Sequence, residues 1–242
     1  MDASSVGPVA RGTIVTLGGG GFSMSEDGSS RIDDHLLELT GTAHPAVCFV
    51  PTASGDSPDY CRRFEDAFAG RARTSVLSLF SQALWGYADP KLLLEQDLVY
   101  VGGGSTANLL AVWRRHGLPE ILRRAAAQGT VLAGISAGMN CWFEAASTDS
   151  FGPLAPLRDG LGFLRGGACP HLLGEEGRLA SLRRWVASGD LPTTYAADDH
   201  VALVWRDGAL TEAVGERESG LALRVERAGD EVEEERIAVR VL

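Results

Sequence analysis

Gly134-Ile135-Ser136-Ala137-Gly138 spells G-x-S-x-G directly after the apolar run Val131-Leu132-Ala133. Strand, tight turn, serine, helix is the layout of a nucleophile elbow, with the serine at the tip of a strained turn. Such a turn admits only small neighbours, and Gly134, Ala137 and Gly138 are small. A serine so placed stands at a helix N-terminus, where free N–H groups and the helix dipole favour a developing negative charge. The chemistry would be attack on a carbonyl. The same pentapeptide also suits a glycine-rich connection whose serine merely caps the helix.

About thirty residues upstream, Leu98-Val99-Tyr100-Val101 reads as a buried strand followed by Gly102-Gly103-Gly104-Ser105-Thr106 and a helix opening at Ala107. In one parallel sheet the two glycine turns would meet at the carboxyl edge of the strands, where open α/β sheets bind ligands. One turn offers Ser136. The other offers a backbone N–H, so Gly104 and Ala137 are the expected oxyanion hole. The triple glycine could instead cradle a phosphate, but no Gly-Lys-Ser/Thr follows it as a P-loop requires.

A serine nucleophile needs a base, and the base needs an orienting carboxylate. The chain has five histidines. His35 falls on an amphipathic helical pattern, His44 in a turn, and His116 at a helix end beside Gly117. His171 follows Cys169-Pro170 in a glycine-rich segment, and His200 lies in the acidic block Asp198-Asp199-His200.

Three blocks together resemble the peptidase E (aspartyl dipeptidase) and cyanophycinase family of serine peptidases. They are Val101-Gly102-Gly103-Gly104, Gly134 to Asn140, and Cys169-Pro170-His171, in that order and spacing. Asp198-Asp199-His200-Val201-Ala202-Leu203 is similar to the family's acidic-pair strand. The resemblance spans roughly residues 12 to 206. It implies a flavodoxin-like three-layer α/β/α sandwich, related to class I glutamine amidotransferases, which carry cysteine where this chain has Ser136. It implies His171 as the base, with His200 as the rival. For the acid it points to Asp199, where the family has a glutamate one methylene longer. Asp149 matches a second acidic position of peptidase E and gives the chain order Ser136, Asp149, His171 known from α/β-hydrolases. Both carboxylates stay open, with Glu144 a distant third.

The resemblance further implies hydrolysis of dipeptides or short peptides through a Ser-His-Asp triad and an acyl-enzyme, with an N-terminal aspartate preferred. A buried substrate carboxylate calls for a guanidinium. Arg178 roughly matches the family's substrate-binding arginine, although it equally suits a charge on a helix surface. Ser105, where peptidase E has asparagine, is the other substrate-binding candidate. Cyanophycinase-like cleavage of β-aspartyl links stays open, as does an esterase or acyltransferase using the same triad.

These residues need a scaffold, and the chain alternates strand and helix patterns. Thr13–Leu17, Ala46–Val50 and Ser75–Leu79 read as strands. Ile32–Leu39, Tyr60–Ala69 and Pro119–Gln128 read as helices. The repeated β-loop-α order predicts a parallel, doubly wound sheet, and glycines after the strands suit backbone approach to a ligand. Past residue 190 the pattern turns to short strands: Val201–Trp205, Leu221–Val225 and Ile237–Val241. They predict a small antiparallel extension at the C-terminal edge, not a second domain, so residues 1–242 form one α/β unit. The acidic residues 227 to 235 read as a solvated turn.

The 242 residues, 45% apolar, suffice for one large core, and the net charge of −10 disfavours nucleic acid and anionic membranes as partners. The expected partner is a small peptide substrate, with a homodimer as the candidate assembly. Cys48, Cys61, Cys141 and Cys169 show no paired spacing, as for reduced thiols of a cytoplasmic protein. Met1 to Arg11 lacks the apolar stretch of a signal peptide, and no apolar run is long enough to span a membrane. There is no HExxH and no Cys/His cluster with metal spacing, so neither metal nor cofactor is expected.

Overall fold

A computed structural model describes residues 11–242. The amino-terminal stretch read above for a signal peptide lies, apart from Arg11, outside the described residues.

The chain opens with strand β1 (Thr13–Leu17), the one-turn helix α1 (Gly21–Met24) and helix α2 (Arg31–Leu39). Then come β2 (Ala46–Val50), α3 (Pro58–Phe68), β3 (Arg73–Val76) and β4 (Leu98–Val101). Helices α4 (Thr106–His116) and α5 (Leu118–Ala127) lead to β5 (Val131–Ile135) and the short α6 (Ala137–Asn140). Strands β6 (Phe143–Thr148), β7 (Ala155–Leu157) and β8 (Leu164–Cys169) precede α7 (Arg178–Ser188). The chain ends in β9 (Thr194–Ala197), β10 (Val201–Arg206), β11 (Ala209–Gly215), β12 (Ala222–Ala228), β13 (Glu231–Ile237) and β14 (Val239–Val241).

Eight strands form a large sheet in the order β14-β11-β10-β1-β5-β4-β2-β3. Its β1-β5-β4-β2-β3 portion is parallel throughout. Strands β2, β4 and β5 are buried at every residue, because helices cover both faces and leave no polar side to alternate with. Beneath one face lies an apolar cluster from β1, β2, β4, α2 and α3. Phe22 stands at its centre, with ring centroids 5.5 Å from Phe49, 5.7 Å from Phe64 and 5.3 Å from Tyr100. Phe22 follows Gly21 directly, so this aromatic packing pins the chain where it leaves β1. The α/β class and the parallel wound sheet are as expected.

The second sheet is new. Six strands run β13-β12-β9-β8-β6-β7. Its inner members read Phe-Glu-Ala-Ala-Ser-Thr, Leu-Arg-Gly-Gly-Ala-Cys and Thr-Tyr-Ala-Ala. Alanine, glycine and serine give little strand signal, but their small size lets other layers approach. Residues of both sheets share one core cluster, Ala146, Leu164 and Ala168 meeting Ile14, Val99 and Leu132. Helix α7 covers the opposite face through Leu182, Trp185 and Val186.

The C-terminal extension therefore divides. Strands β10 and β11 lengthen the large sheet as an antiparallel pair, whereas β12 and β13 belong to the second sheet. The acidic run is no turn: Glu231–Ile237 pairs along its length with β12. Arg183 and Arg224 neutralise part of its charge through Glu234 and Glu235. Only Gly229 and Asp230 are left between the two strands. No helix of the described residues is long and apolar enough to cross a membrane.

One polar group sits inside the aromatic layer. Asp33 is fully buried; its Oδ2 accepts the Phe22 N–H at 2.6 Å, while among the described residues its Oδ1 and the Tyr100 hydroxyl lack a well-formed hydrogen bond. Burial pushes its carboxyl up to about 7. Between about pH 4, where an unfolded aspartate titrates, and that value, the folded chain keeps a proton that the unfolded chain has released. Stability from this group therefore falls as pH rises through that window. An asparagine in its place would still accept from Phe22 and cannot ionise. Asp33→Asn should flatten the decline between pH 4 and 7, by on the order of 4 kcal/mol at about 1.4 per pKa unit. Urea midpoints of both proteins across that range check it, and parallel curves would contradict it.

Candidate active site

Ser136 follows β5 immediately and caps α6. Its backbone stands at φ 56°, ψ −111°, a region that non-glycine residues occupy only under constraint. The constraint is visible. The Ser136 N–H donates to the Leu17 carbonyl at 3.0 Å, and the Ser136 carbonyl accepts from Asn140 at 2.9 Å. A methyl group on Gly134 would collide with the Gly138 carbonyl, and one on Gly138 with the Val101 carbonyl. The turn is closed only because both positions are bare.

The triple-glycine turn comes to the same place. A methyl group built on Gly103 would lie 3.4 Å from Ser136 Cβ and 3.9 Å from its Oγ. Gly104, at φ 134°, has no room for a side chain against the Ala53 carbonyl. Among the described residues no protein acceptor takes the Gly104 N–H. The Ala137 N–H, first in its helix, has no acceptor within α6. Ser105, a substrate-binding candidate above, is the cap of α4: its hydroxyl accepts the Asn108 N–H at 3.3 Å.

His171 lies just past β8 and Asp199 just past β9, so both come from the second sheet. The His171 N–H donates to the Gly18 carbonyl at 3.2 Å. Its ring Nδ1 lies 2.6 Å from Asp199 Oδ1. The hydrogen bond to His171 holds the Asp199 carboxyl below its usual range, against burial, and the charges of His171, His200 and Arg178 act in the same sense. Two glycines make room for it. A methyl group on Gly19 would overlap Asp199 Oδ1, and one on Gly174 would overlap Oδ2. Glycines after the strands are read above as suiting the approach of a ligand; in the run Gly18–Gly21 after β1 the room serves in part the protein's own carboxylate.

Asp149 is exposed in the turn after β6, and its carboxylate makes no hydrogen bond to the His171 ring. Its neighbours are tied down: Thr148 and Ser150 hydroxyls lie 2.7 Å apart, and Ser150 Oγ accepts the Ala107 N–H at 3.2 Å. That places the turn over the N-terminus of α4, near the triple glycine. Glu144 is on strand β6, where it accepts the Gly166 N–H at 2.7 Å, and not on a helix.

Arg178 is no surface charge. It is 2% exposed at the start of α7. Its Nε donates to Glu175 Oε2 at 2.8 Å and one Nη to the Ser147 carbonyl at 3.4 Å. His200 has its own carboxylate, Glu216 Oε2, at 2.8 Å from Nδ1. Sequence reasoning missed that pairing because Glu216 lies 16 residues on and outside every motif. The four cysteines are buried and unbridged. Burial pushes the thiol of Cys169, two residues before His171, up to about 11, which leaves it protonated and a poor nucleophile. Among the described residues no three His, Cys, Asp or Glu side chains converge as a metal-ligand set.

Comparison with known proteins gives the geometry its family. Residues 14–213 match the model of Peptidase family S51. The chain belongs to that family of serine peptidases. A Bacillus subtilis (strain 168) relative named Uncharacterized peptidase YgaJ is 43% identical over 230 residues, spanning 95% of this chain and 98% of its own. Peptidase E of Streptomyces coelicolor is 29% identical over 205 residues, 79% of this chain and 81% of its own. Among solved structures, a peptidase from an acI-B1 actinobacterium superposes with a TM-score of 0.67 at 15% identity, covering 96% of each chain. A candidate peptidase E from Listeria monocytogenes EGD-e gives 0.59 at 18% identity, covering 95% of this chain and all of its own. At such identities the likeness is one of fold.

In this S51 peptidase the acid–imidazole contact depends on a bare Gly19. Gly19→Ala should keep the far-UV spectrum and displace the Asp199 carboxylate from His171. The strongly deshielded Nδ1–H proton expected of the wild-type pair should then be lost from the proton NMR spectrum. An unchanged deshielded signal in the alanine variant would show that the carboxylate tolerates the methyl group.

Proposed function

We propose that the chain is a serine exopeptidase that cleaves dipeptides or very short peptides with a free N-terminus. The observations that support this are the 2.6 Å contact of His171 with Asp199 and a serine held at φ 56° on an elbow, the Ser136 and His171 N–H groups being tied to the successive carbonyls of Leu17 and Gly18. With Asp199 ionised, the His171 proton sits on Nδ1 and leaves Nε2 as the acceptor. Nε2 takes the proton from Ser136 Oγ as that oxygen attacks the peptide carbonyl. The free N–H groups of Gly104 and Ala137 receive the oxyanion. His171 then protonates the departing amine, which leaves the acyl group on Ser136. Water, deprotonated by the same imidazole, releases it.

Ser136→Ala should fold like wild type and lose peptide hydrolysis by several orders of magnitude. Asp199→Asn should lower turnover by about 10⁴, because the amide stabilises the wrong tautomer. Asp149→Asn should cost less. A purified-protein panel of Asp-X, β-Asp-X, Glu-X and Leu-X dipeptides, scored by released amino acid, measures all three. Wild-type rates in Ser136→Ala, or a greater loss in Asp149→Asn than in Asp199→Asn, would reassign the roles.

An acidic first residue is the preferred substrate in this proposal. Its support is Arg178, a buried cation close enough to act on the charge of Asp199. The Arg178 guanidinium is occupied by Glu175, whose side chain is 43% exposed and so free to yield to a substrate carboxylate. Arg178→Met should raise KM for Asp-X at least tenfold, a charge-assisted hydrogen bond being worth roughly 1.5–3 kcal/mol, and leave Leu-X almost unchanged. Equal losses for both substrates would make Arg178 a structural tie between α7 and β6.

A further inference from the structure

Beside the His171–Asp199 pair stands a second one. His200 follows Asp199 in sequence, and its Nδ1 lies 2.8 Å from Glu216 Oε2. Glu216 is itself fixed. Its Oε1 accepts the Ser30 hydroxyl at 2.6 Å and the Ile32 N–H at 3.3 Å, both at the start of α2, and its N–H donates to the His200 carbonyl at 3.1 Å. Burial opposes the Glu216 charge, yet hydrogen bonds from Ser30, His200 and Ile32 hold its carboxyl below the usual range. Both pairs are half-buried or better, and neither is a surface ion pair.

His200 occupies the left-handed region at φ 62°, which a histidine enters only at some cost. What that conformation achieves is specific. It turns the His200 N–H onto the Gly19 carbonyl at 3.0 Å. That bond is one half of the isolated parallel bridge between Gly19 and Asp199. Gly19 is the residue whose bare Cα leaves room for Asp199 Oδ1. Gly20 packs directly on His200, where an added methyl would lie 3.1 Å from the His200 Cα and 3.3 Å from Nδ1. The ring–Glu216 bond thus holds a strained backbone, and the strained backbone holds the acid opposite His171.

We propose that His200, clamped by Glu216, is a positioning residue for the catalytic pair: it closes the Gly19–Asp199 bridge and so aims the Asp199 carboxylate at His171. It works through Asp199 and does not touch the substrate. The positive charge of His200, when protonated, also favours ionised Asp199.

Only the kinetic arm of the test rests on the peptidase reading. Three variants are made in the full chain: His200→Ala, His200→Asn and Glu216→Gln. His200→Ala should lower kcat on the best dipeptide roughly ten- to hundredfold, the size by which outer-shell partners act at metal sites, with KM within about twofold. The deshielded His171 Nδ1–H signal should weaken or shift in parallel. Asparagine tolerates the left-handed region and can donate to Glu216, so His200→Asn should recover much of the rate and the signal. Glu216→Gln keeps the shape and should move both readouts in the same direction as His200→Ala, which decides the matter if the alanine variant fails to fold. Unchanged kcat and an unchanged His171 signal in folded His200→Ala or Glu216→Gln would overturn the proposal. A raised KM at constant kcat would overturn it too, by placing His200 on the substrate. If wild type cleaves no peptide, the peptidase reading fails while the NMR arm still decides the role of His200.

Discussion

Three consecutive carbonyls at the exit of β1 organise the candidate site. Leu17 accepts from Ser136, Gly18 from His171 and Gly19 from His200. The donors lie more than a hundred residues further along the chain, on three different connections. A strand that ends in glycines can offer its carbonyls to three neighbours at once because no side chain separates them. A methyl group on Gly18 would strike the Ala197 carbonyl, one on Gly19 the Asp199 carboxylate, and one on Gly21 the Tyr100 hydroxyl. The central strand of the sheet thus acts as the template on which the proposed nucleophile and base, and the bridge beside the proposed acid, are registered. Phe22, buried among Phe49, Phe64 and Tyr100, keeps that template from moving.

What could be seen in the sequence follows the range of the interaction. The elbow is local: strand, bare turn and helix start lie within ten residues, and G-x-S-x-G carries its own steric reason. The triple glycine and its helix are local too, and so were most elements of the large sheet. His171 and Asp199 are 28 residues apart and meet only because β8 and β9 lie side by side, so the family resemblance was needed to single them out. The second sheet escaped notice because its inner strands are built from alanine, glycine and serine, which pack between layers without an alternating pattern. The acidic run of β13 looked like a solvated turn because an edge strand facing water has no reason to be apolar. Arg178 and Glu216 are the harder cases. Each is a charged residue of ordinary type whose burial is decided by elements far away in sequence.

Neighbouring carboxylates show how far environment overrides residue type. Asp199 and Asp33 both pack against the exit of β1. Asp199 is held down by its hydrogen bond to the His171 imidazole, whereas Asp33, fully buried with one oxygen lacking a well-formed hydrogen bond among the described residues, is pushed up to about 7. In the role proposed for it Asp199 must stay ionised, because that work is to fix one tautomer of the base and stabilise the imidazolium that forms. A carboxylate in the apolar layer has no such partner, and Glu216 adds a like charge that makes its ionisation costlier still. The glycine run separates the two environments within three residues.

The parts of the proposed triad are divided between the sheets. The large sheet supplies Ser136 and the two turns around it; the second sheet supplies His171 and Asp199. Their relative placement is therefore a property of the packing between layers. Trp142 and Phe143, fully buried one turn beyond the elbow, belong to the core cluster that both sheets share. In the proposed mechanism Ser136 must reach the His171 imidazole within hydrogen-bond distance, which allows only errors well below an ångström. Packing alone, through flexible apolar side chains, would leave more play than that. Backbone hydrogen bonds from both halves onto one strand exit remove it, since peptide units are rigid and their bonds directional. The outer strands β12 and β13 make none of these three bonds, so the register proposed for the nucleophile and its base is set without them.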